Sequence, residues 1–591
     1  MQTHSQNPDV FQAGLSRVLI PVRTRGVGMM GYGMLHNVVE GMSSDLYVRA
    51  LLLKDAQGKT LAYANAEICF VTLAIRSAVL ERLQSQQPEQ NWREENLLLT
   101  AQHTHSAPGG YSHYFFYNVT MPGFQPEVFE AIVSAFVEAI VSAQAQLAPA
   151  QLEFVQGAFE PEMEVGFNRS LTAYNKNPEV TPLTDYETHL AIDRNLYLLR
   201  VLSPEGDLRG VINWFGVHAT SVGPKNRRIS SDNKGYAATF LEQRFHHRQE
   251  NTEFVGIFAQ GAAGDVSPNF HGKGRDWPKG KFEDDLESAR FNGKLQFQKA
   301  QELCEAPAHF AINGSLDAEL VYADFSCLPC DPAFTGGLEG CQTASSAHGV
   351  AFFKGTTVDG KGISDMAGSL LAAVARRLRK SLLKKAEAAG PAEQERILNK
   401  LAAQDPKEIL IDSGDKHFLG MTEIKDLPIP DFLDPVVGEV KRLHRIQAIQ
   451  EHSWTPHVLP VQIFIIGNLA LAGVPGEITT IAARRLRVSL EKTLAARGVK
   501  QVVVGSYANA YHGYITTAEE YAVQNYEGGH TVFGKWTLAA FQTVFEQVAQ
   551  ALNHPLAERV LPKELKPPVF SERELALRTF NPEEPSLRRS R

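Results

Sequence analysis

Two histidines stand two residues apart where an apolar run ends, in the segment ENLLLTAQHTHSAPGGY. Successive strand side chains point to opposite faces, so His103 and His105 are expected to share one face, with Thr104 on the other. Neutral imidazole is a common zinc ligand, and catalytic zinc needs about three protein ligands plus a water. Taken alone, the pattern is explained better by histidines that hydrogen-bond to backbone groups. It becomes a metal prediction only if other ligands converge on it.

Two further apolar runs end in polar side chains. GVINWFGVHATSVG carries His218 at the end of a predicted strand, and FVGIFAQGAAGDVSPNF presents Asp265 and Ser267 on a glycine-rich turn. Functional groups in α/β proteins gather at the carboxyl ends of strands, so a metal shared by the two histidine sites and two separate structural histidines are both open interpretations. Ser267 lacks the Gly-X-Ser-X-Gly pattern of a nucleophile elbow. By itself it suggests a serine that binds substrate or stabilises the turn.

The second half of the chain adds a carboxylate and two phenols. Glu477 lies at a predicted strand-to-helix junction in GVPGEITT, where a helix N-terminus stabilises negative charge. A glutamate at a helix start is also common without any further role. Tyr514 and Tyr526 flank the polar segment YITTAEEYAVQNY. Most tyrosines pack in half-buried positions, so neither would be selected on residue type alone.

The elements that carry these residues predict an α/β fold, with a mixed β-sheet core flanked by helices. Apolar runs such as LYVRALLLKD alternate with stretches such as PEVFEAIVSAFVEAIVSAQAQL, in which apolar residues recur every three or four positions. From about 271 to 420 the pattern loosens, which predicts an inserted, partly helical and irregular segment. Regular alternation returns with VLPVQIFIIGNLALAG. The last residues, 556–591, are rich in proline and charge and predict a tail that wraps the surface or frays.

Composition excludes several classes of protein. Of 591 residues, 43% are hydrophobic and 21% are charged, which is typical of a globular protein rather than a fibrous or disordered one. A formal net charge of -8 without clustered cations argues against a nucleic-acid partner and favours small-molecule or lipid ligands. The N-terminal sequence shows no signal peptide and no later window resembles a membrane span, so a cytoplasmic protein is expected. Oligomeric state is not predicted.

Two other patterns have competing interpretations. Cys327, Cys330 and Cys341 could form a redox pair or supply three of four zinc ligands, but without a nearby fourth ligand free thiols are the preferred interpretation. A predicted helix starting near Ser364 and Asp365 carries an apolar stripe and several basic residues. It could lie on a membrane surface, although a solvated basic face above a packed apolar stripe is preferred.

Segments along the chain resemble, in order, the signature segments of the neutral/alkaline non-lysosomal ceramidases. They are QHTHSAPGGY, FNRSLTAYNKNP, WFGVHATS, SSDNKGYA, FAQGAAGDVSPN, GVPGEITTIAARRLR and YITTAEEYAVQNYEGG. The resemblance runs from about Gly28 to about Phe541. It implies a zinc-dependent amidase that cleaves the N-acyl amide of ceramide or a ceramide-like lipid. Members of that family commonly carry a C-terminal β-sandwich, which is not expected here, so residues 1–555 are expected to form the catalytic domain.

The resemblance also implies roles for individual residues. One zinc per chain would be held by His103, His218, Glu477 and Tyr514, with a water in the remaining position. His105 would then transfer a proton to the departing amine. Arg169 and Tyr526 would hydrogen-bond the substrate or the developing oxyanion.

Two residues of the GDVSPN segment complete the set that the resemblance implies. Ser267 matches a serine that the family needs for activity, and substrate binding is preferred to covalent attack because an activated water already supplies the nucleophile. Asp265 is expected to support a histidine as a neighbouring carboxylate. Two alternatives remain: a zinc hydrolase of the same fold acting on another amide or ester, and a non-catalytic zinc-stabilised binding protein.

Overall fold

The computed structural model describes residues 11–22, 25–121, 123–246, 254–272, 279–356, 358–418 and 435–579. The extreme N-terminus, part of the predicted insertion and the end of the predicted tail lie outside these ranges. The helices are α1 Leu73–Gln86, α2 Pro126–Ala145, α3 Leu171–Tyr174, α4 Asp232–His246, α5 Asp285–Glu305, α6 Val350–Lys354, α7 Asp365–Ala388, α8 Pro391–Ala403, α9 Pro435–Arg445, α10 Thr480–Leu494, α11 Ala518–Val523, α12 Tyr526–Gly529, α13 Thr537–Leu552 and α14 Glu572–Arg578.

The strands of the first half are β1 Phe11–Leu19, β2 Gly41–Met42, β3 Tyr47–Lys54, β4 Thr60–Ala66, β5 Leu97–Ala101, β6 Ala148–Ala158, β7 Phe167–Asn168, β8 Asn195–Leu202, β9 Leu208–Phe215, β10 Arg228–Ile229, β11 Val255–Gln260 and β12 Val266–Ser267. Those of the second half are β13 Phe310–Ala311, β14 Leu316–Asp324, β15 His348–Gly349, β16 Ile409–Asp412, β17 His417–Phe418, β18 Val458–Ile466, β19 Leu469–Gly473, β20 Glu477–Ile478, β21 Gln501–Gly505 and β22 Tyr514–Ile515.

Two sheets form the centre of the molecule. The larger has nine strands in the order β11-β9-β8-β6-β1-β3-β4-β5, with β13 paired to β6. The smaller has four, in the order β14-β18-β19-β21. Most neighbours are antiparallel, whereas β4 and β5, β9 and β11, and β19 and β21 are parallel. The mixed α/β fold predicted from the sequence is confirmed.

Alternation along the strands explains how these sheets pack. In β3, Val48, Ala50 and Leu52 face a cluster that includes α1 and α2, and Leu51 and Leu53 face the smaller sheet. The same period of two in β18 turns Phe464 and Ile466 toward the larger sheet. Other residues of the smaller sheet pack with α10 and α13. The result is four layers, helix on sheet on sheet on helix, with the central core between the two sheets.

Helix α2 is the one helix in the described part of the chain that is long and apolar enough to cross a membrane by length and composition. Half of that apolar window is buried inside the protein, and the helix packs against β1 and β3. Its buried positions include Ile132, Phe136 and Ile140, which recur every four residues along one face. The helix is therefore placed as a core helix of the helical layer.

The segment predicted as an insertion contains two kinds of structure. Helix α5 packs on α4, and strand β14 lies at the edge of the smaller sheet, so both belong to the main layers. The part containing α6, α7, α8 and the three-stranded sheet β15-β16-β17 is separate from both large sheets. Ser364 caps α7, as the sequence indicates, because its hydroxyl accepts a hydrogen bond from the Ala367 N–H.

The structure also describes the cysteines and the basic helix, for which the sequence left two interpretations each. The five cysteines are all free. Along α7, Ala372 and Ala375 are buried and Leu371, Val374 and Leu378 are partly buried, whereas the basic residues Arg376, Arg377, Lys380 and Lys384 are exposed. This arrangement matches a basic solvated face above a packed apolar stripe.

Candidate metal centre and active site

Three side chains from distant parts of the sequence converge at one buried point. Ligand atoms of His103, His218 and Glu477 all lie within 4.8 Å of one another. The Nε2 atom of His218 lies 2.9 Å from Glu477 Oε2, and that of His103 lies 3.6 Å from Glu477 Oε1. All three residues are almost completely buried. Two imidazoles and one carboxylate are the donor set of several catalytic zinc sites.

Backbone carbonyl groups orient both imidazoles. The Nδ1–H of His103 donates to the Cys69 carbonyl at 2.7 Å, and that of His218 donates to the Val266 carbonyl at 3.0 Å. These bonds fix the tautomer in which each Nε2 atom keeps its lone pair and faces Glu477. Burial lowers the pKa of His103 to about 4, so its ring is neutral at neutral pH. The residues present therefore fit a divalent metal ion.

Two tyrosines hold the carboxylate. Tyr507 donates to Glu477 Oε2 at 3.1 Å, and Tyr511 donates to Glu477 Oε1. Burial raises the pKa of Glu477, but the neighbouring imidazoles and the Tyr511 hydroxyl outweigh it and hold that pKa well below its usual range. Neither tyrosine is singled out by the sequence. Tyr507 has φ of 56°, a left-handed conformation that no local pattern predicts for a tyrosine.

Cys69 offers a second combination of ligands with His103 and His105. Burial raises the pKa of its thiol well above the usual range. The Nδ1 atom of His103, which lies nearest the thiol, already donates to the Cys69 carbonyl. The group formed by His103, His218 and Glu477 is therefore the better candidate.

His105 converges on the same point, but not for the reason predicted. Strand β5 ends at Ala101, so strand alternation does not place the two imidazoles on one face. His103 instead has φ of 75°, and the resulting turn brings its Nε2 to within 3.0 Å of His105 Nε2. Among the residues that the structure describes, none hydrogen-bonds to the buried Nδ1 of His105, which leaves a nitrogen available for a proton. Tyr32 packs edge-on against this ring at a centroid distance of 4.7 Å.

Glu477 and Tyr514 are brought together by a short parallel pair of strands. Strands β20 and β22 have two residues each, and Glu477 lies directly opposite Tyr514 in their register. The Tyr514 hydroxyl lies 3.3 Å from His218 Nε2. It is therefore at the edge of the candidate metal group, where the predicted fourth ligand is expected.

Arg169 and Tyr526 lie beside Tyr514. The Nη2 of Arg169 donates to the Tyr514 hydroxyl at 3.0 Å, and its guanidinium lies 5.4 Å from the centre of the Tyr526 ring. The two tyrosine rings meet edge-on at a centroid distance of 5.5 Å. Arg169 also donates to Glu527 and Asp359, at 2.9 Å each. Neither carboxylate is predicted from the sequence. Glu527 follows Tyr526 in the segment YITTAEEYAVQNYEGG, whereas Asp359 lies in the predicted insertion, where no motif points to it.

The two residues of the GDVSPN turn have different partners from those expected. Among the described residues, no histidine is hydrogen-bonded to the Asp265 carboxylate: its Oδ1 accepts from the Thr480 N–H at 2.9 Å and its Oδ2 from Asn168 at 2.7 Å. The prediction that it supports a histidine is wrong, because its carboxylate instead caps the start of α10, three residues after Glu477. Ser267 donates to Asp359 Oδ1 at 2.6 Å.

Comparison with known proteins gives one consistent family. The family described as neutral/alkaline non-lysosomal ceramidase, N-terminal, matches residues 11–429 and 441–543. A neutral ceramidase of Pseudomonas aeruginosa is 36% identical over 550 residues, which cover 92% of this chain and 72% of the relative. A neutral ceramidase of Mycobacterium tuberculosis is 30% identical over 532 residues, covering 89% of this chain and 74% of the relative.

Solved structures agree with the sequence relatives. A structure described as ceramidase complexed with C2 superposes with a TM-score of 0.77 at 34% identity, covering 95% of this chain and 77% of the other. The crystal structure of neutral ceramidase from Pseudomonas aeruginosa gives 0.75 at the same identity and coverage. The resemblance noted in the sequence is confirmed at the level of the whole fold. The chain belongs to the neutral/alkaline non-lysosomal ceramidase family.

Proposed function

We propose that this protein hydrolyses the N-acyl amide bond of ceramide or a ceramide-like N-acyl lipid, releasing a fatty acid and a sphingoid amine. The observation that carries the proposal is the convergence of His103, His218 and Glu477 in a chain of the ceramidase family. One zinc ion per chain, with Tyr514 as a further ligand, is the metal that this donor set suits best. Bound zinc polarises a carbonyl oxygen and lowers the pKa of a coordinated water toward neutrality.

The ligand side chains contribute mainly by being fixed in advance. The Nδ1 bonds to Cys69 and Val266 keep both imidazoles in one orientation, and the two tyrosine hydroxyls do the same for Glu477. Groups that already have the required geometry need no reorganisation during the reaction. Burial of the set excludes bulk water and strengthens the electrostatic interactions within it.

Proton transfer and substrate orientation fall to residues around the ligands. His105, to whose Nδ1 none of the described residues hydrogen-bonds, is proposed to deliver a proton to the departing amine, since an amide nitrogen leaves poorly as an anion. Arg169 directs one N–H toward Tyr514, and its fixed positive charge is proposed to stabilise the carbonyl oxygen of a bound amide. Tyr526 packs on both groups and limits the space in which the substrate lies.

Three alanine variants separate metal binding from proton transfer. His103→Ala and His218→Ala are expected to lose both bound metal and amine release, because each removes one of three close ligands. His105→Ala is expected to keep the metal and lose roughly 10²- to 10⁴-fold in kcat. Zinc content by elemental analysis and amine release from a short-chain fluorescent ceramide are the measurements.

The exposed His554 provides the matched control, and His554→Ala is expected to behave like the wild type. Wild-type turnover in His103→Ala or His218→Ala would refute the assignment of the metal ligands. Loss of metal in His105→Ala would move that residue from proton transfer into the ligand set.

A further inference from the structure

A buried carboxylate from outside the predicted motifs lies within the candidate active site. Asp359 is 3% exposed and accepts four side-chain hydrogen bonds. Its Oδ2 accepts from Arg169 at 2.9 Å. Its Oδ1 accepts from Ser267 at 2.6 Å, from Asn269 at 2.9 Å and from Thr220 at 3.3 Å. One residue therefore connects the arginine of FNRS with the serine of GDVSPN.

The segment that carries Asp359 is described at residues 355–356 and 358–364. It joins α6 to α7 and is closed by a bridge between Gly355 and Lys361. The N–H groups of Asp359 and Gly360 donate to the Thr356 hydroxyl at 2.8 and 2.9 Å. Gly355 has φ of 75°, and a Cβ atom there would lie 1.7 Å from the Gly360 carbonyl oxygen. The position of Asp359 is thus fixed by its loop as well as by its partners.

Arg169 depends on this carboxylate for its direction. Its Nε donates to Glu527, its Nη1 to Asp359, and its Nη2 to the Tyr514 hydroxyl and the Gly264 carbonyl. The guanidinium is planar, so a partner on Nη1 sets the direction in which Nη2 points. Asp359 therefore helps to aim the N–H that faces Tyr514.

Ser267 is engaged by the same carboxylate. Its only hydroxyl proton is donated to Asp359, and its oxygen accepts from the Asn269 N–H at 3.1 Å. A serine nucleophile is normally paired with a histidine or lysine base. Among the side chains that the structure describes, neither is hydrogen-bonded to Ser267. The contacts fit a residue that holds Asp359 in place better than one that attacks a carbonyl.

We propose that Asp359 is a positioning residue for this reaction, which aims Arg169 at the substrate carbonyl and uses Ser267 as the anchor of its own carboxylate. Ser267 then acts through Asp359 rather than as a nucleophile or a direct substrate ligand. This inference rests on the proposed amide hydrolysis. It also makes the loop between α6 and α7 a functional part of the site.

The test compares Asp359→Asn, Ser267→Ala and the double variant in the full-length protein. The amide of Asp359→Asn keeps an acceptor for Ser267 but points an N–H₂ group at the Arg169 guanidinium. For Asp359→Asn we expect kcat to fall by roughly 10- to 100-fold, with KM within about threefold and zinc content unchanged. The reason is that the lost interaction with Arg169 acts on the developing oxyanion. The double variant should be within about threefold of Asp359→Asn, since both changes act on one unit. Asp365→Asn, in the exposed start of α7, is the matched control.

A second measurement decides the inference independently of turnover. Phenylglyoxal labels accessible arginines, and mass spectrometry of the peptide that contains Arg169 reports whether its hydrogen-bonded environment is intact. Arg169 should be protected in the wild type and in Asp365→Asn, and labelled in Asp359→Asn. Equal protection in all three would overturn the inference, as would multiplicative losses in the double variant or a loss above roughly 10⁴-fold in Ser267→Ala, which is the behaviour of a nucleophile. A wild type with no ceramide hydrolysis would refute the proposed function, while the labelling result would still decide the role of Asp359.

Discussion

The side chains of the candidate active site are each held in position by neighbouring residues. His103, His218 and Glu477 stand in recognisable sequence patterns, histidines at strand ends and a glutamate at a helix start, but only the family resemblance joins them into one ligand set. Tyr507, Tyr511, Asp359 and Glu527 could not be predicted in the same way, because each acts through a contact with a residue distant in sequence. Asp265 shows the converse: its motif was recognised, but a helix cap and a histidine support require the same residue type.

Gly31 leads to a prediction about the position of His105. It has φ of 123°, and a Cβ atom there would lie 2.3 Å from Cγ of His105. Gly31→Ala should therefore displace the imidazole and lower kcat by at least about 10-fold while zinc content stays at the wild-type level, since His105 lies outside the proposed ligand set. Steady-state kinetics and elemental analysis are the measurements.

Gly33→Ala is the control for backbone strain. Gly33 also has positive φ, 65°, but nothing lies within 4 Å of its Cβ position. Alanine at position 33 carries a backbone penalty of about 1–3 kcal/mol for positive φ, as alanine at position 31 does, but it makes no contact with His105. Equal kcat values in the two variants would contradict the account of His105.

Short elements do most of the positioning. Glu477 and Tyr514 face each other in a pair of strands only two residues long, and Ser267 lies in another such strand, paired with β7 just before Arg169. The long strands and helices could be predicted from alternation and from the spacing of apolar residues. Two-residue strands contain no period, so their pairing follows only from the packing of the long elements around them.

The C-terminal segment is attached to the sheet by charge. Arg559, in the segment predicted as a tail, donates to Asp317 of β14, as do Lys59 at 3.0 Å and Arg497 at 2.7 Å. Farther along, Phe124 N–H donates to the Arg578 carbonyl at the end of α14. The described part of this segment, up to Thr579, is therefore held against the main layers at Arg559 and Arg578.

Asp317 leads to a prediction about the stability of the protein in acid. Burial raises its pKa, but hydrogen bonds from Arg559 and Lys59 outweigh burial and lower that pKa to about 2. A folded pKa below the unfolded value of about 3.9 means that the stabilisation is complete above pH ~4 and lost as the pH falls toward 2. Asp317→Asn should therefore lower the free energy of unfolding by about 1–2 kcal/mol at pH 7, allowing for solvent screening around Lys59, and by much less at pH 2.5.

Urea unfolding at the two pH values measures this difference, with the exposed Asp185→Asn as control. A deficit of the same size at pH 7 and pH 2.5 would show that Asp317 does not act through its charge.

At the scale of the whole molecule, four layers bring the ends of strands from both halves of the chain to one point. His103 and His218 follow β5 and β9 of the larger sheet, and Glu477 follows β19 of the smaller one. The α/β class could be predicted from the alternation of elements. The packing of two sheets face to face could not, because buried strands of either sheet have the same apolar composition. The family resemblance implies the ligand set and the reaction, which composition alone does not give.

The most direct test of the central claim is zinc content of the purified protein, measured by elemental analysis together with amine release from a short-chain fluorescent ceramide before and after chelation. We predict about one zinc per chain, release that stops on chelation, and recovery when zinc is restored. Full release from metal-free protein would contradict the proposed chemistry. Zinc-loaded protein that releases no amine would contradict the proposed substrate.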